Sequence, residues 1–352
     1  MKVLISHDGG MNAHWFDRTG VAKVLQYCGH QVVWWDCKNK PAFDIFNEAG
    51  PFDIFWGQTY NLDRATIKCL KSNPAMRICL RAGEWGEHTD NWTKEQKQKY
   101  PILIESRQIK EQVQELAEEV NIGFLHTHYH PDYLDLTHGH WREKGFKVVS
   151  MMNAADTWDY TNGIWREELT SDVLYVGSNW DYKSRNLNKM ILPLCNPELG
   201  LKIKIFGGGG WNVPQFMGPA DQNIVKDLFK SAAINLAISE PHSTDFGYDV
   251  TEKIFKLTSN KSFVISDRVE GLTKIYGDSV VCVSDANIIE TIKYFLSNPA
   301  HRMKYISEAY KITMESQTYF DRVISIFENL NMKYEASNVI RGKVNFFKEN
   351  NL

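Results

Sequence analysis

No apolar run in this sequence approaches the about 20 residues that a membrane-spanning helix needs, and Met1 to Ser6 is a strand-like run without the layout of a signal peptide. These absences exclude a helical membrane protein and lead us to expect a cytoplasmic one. Cysteine is sparse. Cys28, Cys37, Cys69, Cys79, Cys195 and Cys282 are dispersed, with no C-x-x-C pair. That spacing argues against a disulfide framework and suits small buried side chains in a reducing compartment. An excess of one charge is missing as well: the formal net charge is -3, which argues against a broad electrostatic grip on nucleic acid and leaves only a local basic groove open. Repeats and low-complexity tracts are absent too.

What is there is length, alternation and tryptophan. The 352 residues are more than one core usually serves, and fit two domains. Short apolar runs at Lys2–Ser6, Gln31–Asp36, Phe52–Trp56, Arg77–Leu80, Pro101–Ile104, Ile122–Leu125 and Phe146–Met151 read as strands, with helical spacing between them, as in Arg107–Val120. A second alternation follows, with strands at Val173–Val176, Lys202–Phe206, Ala233–Ile238, Ser262–Ile265 and Val280–Val283. Strands alternating with helices predict an α/β protein: two doubly wound, Rossmann-like parallel-sheet domains facing across a cleft, with ligands at the strand C-termini. We expect one domain over 1–160, a second over 161–334, and a loosely held tail over 335–352. Of the 11 tryptophans, Trp15, Trp85, Trp92, Trp158, Trp180 and Trp211 fall in loop-like contexts. There they either pack or offer flat faces to sugars and bases.

The most informative stretch is Ser239–Asp267: strand end, polar loop with Gly247, helix from about Val250, buried strand. Such a loop and helix N-terminus aim backbone N–H groups and a positive dipole end at the mouth of a sheet, which suits a phosphate. Glu252 in the first turn is placed to accept ribose hydroxyls, and Lys253 to reach a diphosphate as a point charge. Asp249 and Glu252 equally make a D-x-x-E capping-box pattern that needs no ligand; spacing alone leaves both open.

The run Gly247-Tyr248-Asp249-Val250-Thr251-Glu252-Lys253-Ile254 resembles the Y-V-T-E-K-I/L donor signature of α1,3-fucosyltransferases, with one extra residue. The C-terminal half is similar to group 1 and spore-maturation-type glycosyltransferases: Val176-Gly177-Ser178 with Arg185, then Phe206-Gly207, then Glu252, then Phe263–Ile265. The layout also resembles phage DNA glucosyltransferases. This resemblance implies the GT-B fold, with 1–160 binding the acceptor and 161–334 the nucleotide-sugar, and a donor site built from Gly177, Ser178, Arg185, Gly207, Gly208, Tyr248, Glu252 and Lys253, with Arg185 clamping the diphosphate. The donor it implies is a UDP- or GDP-sugar. No D-x-D triplet occurs to hold a divalent ion on the donor, so we expect metal-independent transfer with no cofactor. Many retaining relatives carry E-x7-E; here the position eight before Glu252 is Thr244, which favours inversion. Asn260 stands where relatives place a helix-ending Gly, and Asn also tolerates that conformation.

Inversion requires a base for the acceptor hydroxyl. Glu84 is the first choice, because the phage enzymes put an Asp in a comparable loop; Asp8 and His7, after the first strand, come next. The acceptor is a glycan or a modified base in DNA, the latter not favoured by the net charge. A rival motif is Thr127-His128-Tyr129-His130-Pro131-Asp132, which matches the T-H-x-H-x-D core of metallo-β-lactamase-type zinc hydrolases. It would use the His126–Asp132 cluster, but Tyr133 stands where that family needs its final His. A non-catalytic nucleotide-sugar-binding protein is the third reading.

Overall fold

The computed structural model describes residues 1–9, 13–82, 92–108 and 110–352. These divide into two compact units, 1–152 with 319–352, and 153–318.

The first unit runs β1 (Lys2–His7), α1 (Ala13–Tyr27), β2 (Gln31–Asp36), α2 (Ala42–Ala49), β3 (Ile54–Gln58), α3 (Arg64–Lys71), β4 (Arg77–Arg81), α4 (Lys94–Lys99), α5 (Pro101–Gln108), α6 (Lys110–Glu118), β5 (Ile122–Thr127), α7 (Leu134–Glu143) and β6 (Val148–Ser150). Its described strands form one parallel sheet in the order β2-β1-β3-β4-β5-β6. Successive residues of β1, Val3, Leu4 and Ile5, are all buried, as expected of a strand covered on both faces. Leu4, Phe55, Ile78 and Leu80 share a core with Ile45 of α2 and Ile67 of α3.

The second unit runs β7 (Ser171–Val176), α8 (Asp181–Met190), β8 (Ile203–Phe206), α9 (Val225–Ser231), β9 (Ala232–Ala237), α10 (Pro241–Phe246), α11 (Glu252–Ser259), β10 (Val264–Asp267), α12 (Glu270–Tyr276), β11 (Val281–Val283), α13 (Ile288–Ser297) and α14 (Pro299–Ser316). The sheet is again parallel, in the order β11-β10-β9-β7-β8. The period of two is visible in its cores: Val173 and Tyr175 of β7 face one cluster with Leu187 and Ile265, while Leu174 faces another with Ile254 and Phe255. The chain then returns to the first unit as α15 (Tyr319–Asn329) and α16 (Lys333–Glu349).

In both sheets the chain reverses direction beside the first strand, between β1 and β3 and between β7 and β9. Such switch points open a crevice at the strand C-termini.

Three expectations differ from what is observed. The division falls at 152/153 rather than 160/161, and residues from 319 onward belong to the first unit. The expected tail is the helix α16, which buries Ala336, Val339 and Phe346. Pro101–Ile104, read as a strand, is the first turn of α5; Pro at the first helical position costs no hydrogen bond there.

Candidate functional site

At the switch point of the second unit, β7 ends in Gly177-Ser178 and β8 in Gly207-Gly208. The two turns are laced together: Gly177 N donates to Phe206 O at 2.8 Å and Asn179 N to Gly208 O at 2.8 Å. Gly207 has φ +145°, and a Cβ there would overlap the Gly177 carbonyl; only glycine permits that approach. Ser178 and Gly208 remain exposed, so four of the sequence-predicted donor residues come together at the C-terminal ends of β7 and β8.

Lys253, on α11, extends beneath that turn. Its Nζ is buried, makes no hydrogen bond among the described residues, and stands 4.0 Å from the Tyr175 ring centroid. A Cβ on Gly177 would lie 2.8 Å from it. Burial, then the neighbouring Lys183 charge, holds the Lys253 ammonium well below its ordinary pKa. The expected open point charge is therefore a desolvated amine, whose charged form a nearby anion would favour.

Glu252 opens α11, but the capping box does not form. The N-cap is Thr251, with no side-chain cap hydrogen bond. The Glu252 Oε1 instead meets Lys256 Nζ one turn on, at 2.7 Å, and Asp249 Oδ2 lies 3.4 Å from His242 Nε2. A full box does occur at Thr93 and Gln96, at the start of α4, where both partners sit at the required N-cap and N3 positions. Asp249 lies two residues too early for that geometry, so Glu252 is held by Lys256 and not by a cap.

Two of the predicted donor residues are placed otherwise than expected. Arg185 NH2 is paired with Asp245 Oδ2 at 2.8 Å, both half-exposed, so the clamp is already occupied by a carboxylate. Tyr248 is fully buried and stacks between His242 and Phe246. A ring enclosed in this way packs the loop and does not face a donor.

Sequence reasoning missed the polar groups beneath these turns. Lys183 of α8 is buried and meets Glu240 at 3.2 Å. Burial alone would lower its pKa, but Tyr175, Glu240 and Asp267 hold it above the ordinary value. Asp267, ending β10, accepts from Ser239 N and Oγ at 3.0 Å, yet burial pushes its carboxyl up to about 6. The signal available was a charged residue directly after an apolar run, as in Ser239-Glu240 and Ser266-Asp267. A consequence is testable. The neutral carboxyl favours the fold below about pH 4 and that contribution is lost as pH rises through about 6. Asp267→Asn should therefore melt higher than the parent above pH 6, with the difference vanishing toward pH 4; parallel melting curves across that range would refute the assignment.

In the first unit, His7 closes β1 with its rings against Trp15 and Trp34. Its Nδ1 accepts from Gly9 N at 3.1 Å, and burial, partly offset by Asp36, lowers its pKa. The accepting nitrogen is occupied, so His7 is poorly placed to take a proton. Asp8 is better placed: its Oδ1 is buried with no hydrogen-bond partner among the described residues. Glu84 lies outside the described residues.

The histidines of the rival zinc motif are engaged separately. His126 Nε2 accepts from Trp56 Nε1 at 2.6 Å, His128 Nδ1 meets Arg81 at 2.8 Å, and His130 Nδ1 accepts from Asp132 N at 3.3 Å. Burial, reinforced by the Arg81 charge, holds His126 well below its ordinary pKa. Among the described residues no group of three or more His, Cys, Asp or Glu is placed to hold a metal ion.

Beside these groups α1 carries Gly20, where a Cβ would overlap the Tyr319 ring. The missing side chain lets α15 lie close, and Tyr319 OH donates to Asp17 Oδ1 at 2.8 Å. Between α1, α15 and the C-terminal part of the sheet lies a small pocket of about 30 Å³, floored by Trp56 and Gly57.

No described helix is long and apolar enough to cross a membrane. Residues 183–328 match the family model described as glycosyl transferase-like. No curated protein matches the chain. Among solved structures, an α-glucosyltransferase in complex with UDP is similar at TM-score 0.63 and 11% identity, over 94% of this chain and 100% of that one. An α-glucosyltransferase with UDP and a 13-mer DNA containing an HMU base gives 0.62 and 11%, over 94% and 99%. The T4 phage BGT with UDP and Mn2+ gives 0.54 and 14%, over 94% and 99%. The expected glycosyltransferase-like second half and GT-B architecture are thus borne out, and the zinc-hydrolase reading is not. These matches do not bear on the fucosyltransferase-like run at 247–254.

Proposed function

We propose that this glycosyltransferase-like chain moves a hexose from a UDP-sugar to a hydroxyl on a modified base of DNA, without a metal ion and with inversion. The observation that carries the donor half is the unpartnered, buried Lys253 amine under the Gly177-Ser178 turn. Backbone N–H groups and a desolvated cation suit the diphosphate that leaves when the sugar departs, and such groups act most strongly where water is excluded. Lys183 adds positive charge behind them, which makes protein cations the neutralising device. Glu252, held by Lys256, would take the ribose hydroxyls; Arg185 would exchange Asp245 for the diphosphate. UDP is preferred to GDP because the similar structures hold UDP. DNA is preferred to a glycan because one of them holds DNA with an HMU base.

Two carboxylates are candidates for the base, Glu84 and Asp8. The buried, unpartnered Oδ1 of Asp8 supports Asp8, since an acceptor hydroxyl would supply the donor it lacks. Thr244, standing where retaining relatives carry Glu, supports inversion.

The test is transfer from UDP-glucose to a hydroxymethylated duplex in excess EDTA, read by mass spectrometry of digested nucleosides. A hexose added to the modified base alone, in β configuration, is expected. A protein that neither transfers nor slowly hydrolyses UDP-glucose, yet binds it, would be the non-catalytic alternative; loss of transfer in EDTA would remove the metal-independent reading.

A further inference from the structure

The pocket of the first unit carries more positive charge than its own residues balance. Three arginines, Arg18, Arg81 and Arg322, line it together with a single carboxylate, Asp17. Asp17 accepts from Tyr319 OH and lies 3.9 Å from Arg81 NH1. Arg81 NH2 meets His128 Nδ1 at 2.8 Å, and Arg322 Nε donates to Met152 O at 2.7 Å. Arg18 is different. It is only 5% exposed, and among the described residues it makes no hydrogen bond or ion pair.

A guanidinium is always charged and presents five donors. Burying it with none of them paired is unfavourable, and evolution rarely keeps such a group without a partner. The partner is not another residue of the pocket, because its one carboxylate is engaged. What the pocket lacks is an anion. A planar donor fork flanked by a second arginine matches an oxyanion with two accepting oxygens.

We propose that this pocket binds a phosphate group, with Arg18 as its principal ligand and Arg81 beside it. Resting on the DNA reading above, the phosphate is one of the acceptor backbone, near the modified base. It fixes the register of the strand and leaves recognition of the base to other groups. A chain of net charge -3 thereby holds DNA through a few enclosed cations, not a broad basic face.

The test compares the parent with Arg18→Met and Arg18→Lys in two assays. In the first, affinity for the hydroxymethylated duplex is measured across salt concentrations. Arg18→Met should weaken binding about tenfold and reduce the slope of log K against log salt by about 1, while Arg18→Lys retains the slope. In the second, inorganic phosphate is titrated during thermal melting, without DNA or sugar donor. It should raise the Tm of the parent and not that of Arg18→Met. Without phosphate, Arg18→Met should melt no lower than the parent, because a buried unpaired charge has been removed; a purely structural arginine would show a lower Tm. If DNA does not bind but phosphate still protects only the parent, the pocket stands as a site for free phosphate and the DNA reading alone fails. Equal salt slopes together with equal phosphate protection would overturn the pocket itself.

Discussion

Lys253→Met is expected to lower kcat with UDP-glucose by about 10²–10³-fold, the loss typical when one preorganised group facing a developing charge is removed. Methionine keeps the length of the stem and its packing against Tyr175, so the fold should survive. The amine is buried and unpaired among the described residues, and burial holds its pKa well below the ordinary lysine value. A diphosphate placed on the Gly177-Ser178 turn would raise its proton affinity, and the charge would be greatest as the sugar leaves. The loss should therefore fall on kcat more than on KM. Donor binding to the parent should also take up a proton, seen as a dependence of the calorimetric heat on buffer ionisation, and the variant should lose that dependence. A variant with normal kcat would reduce Lys253 to a cation–π contact that packs the loop.

Asp8→Asn is expected to cost about 10²–10⁴ in kcat, the usual contribution of a general base, with donor KM unchanged because the residue lies in the other unit. The isosteric amide keeps the volume at the end of β1. It removes the acceptor of the hydroxyl proton but not the pocket beside it, so DNA binding should persist. Glu84→Gln is the matched control. If Glu84→Gln abolishes transfer and Asp8→Asn does not, the base is Glu84 and the unpartnered Oδ1 of Asp8 has another explanation. If slow hydrolysis of UDP-glucose to water survives Asp8→Asn, as its chemistry does not need the acceptor, the defect is confined to acceptor activation.

The local content of the chain was legible without a fold. Val3 to Ile5 and Val173 to Tyr175 are apolar runs too short for helices, and each lies in a strand. The sequence determined two parallel-sheet domains and the strand–turn positions of Gly177, Gly207 and Glu252, because hydrophobic periodicity and turn chemistry act over a few residues. It misled at Pro101–Ile104, where an apolar tetrad serves a helix start as well as a strand.

Tertiary structure alone decided what those positions mean. Asp249 and Glu252 have the spacing of a helix cap, and only the backbone shows Thr251 in the capping place. Tyr248 belongs to the donor-like run but is enclosed by His242 and Phe246. Lys183, Glu240 and Asp267 are far apart in sequence and meet because the strand order sets β9 between β7 and β10. Arg18 reads in sequence as one more polar residue on an amphipathic helix. Its burial without a partner follows from Gly20 admitting Tyr319, and from α1 lying over Trp56 and Arg81. Which charges are paired, and which are left waiting, depends on neighbours brought together by sheet order and helix packing, and that information is not local in the chain.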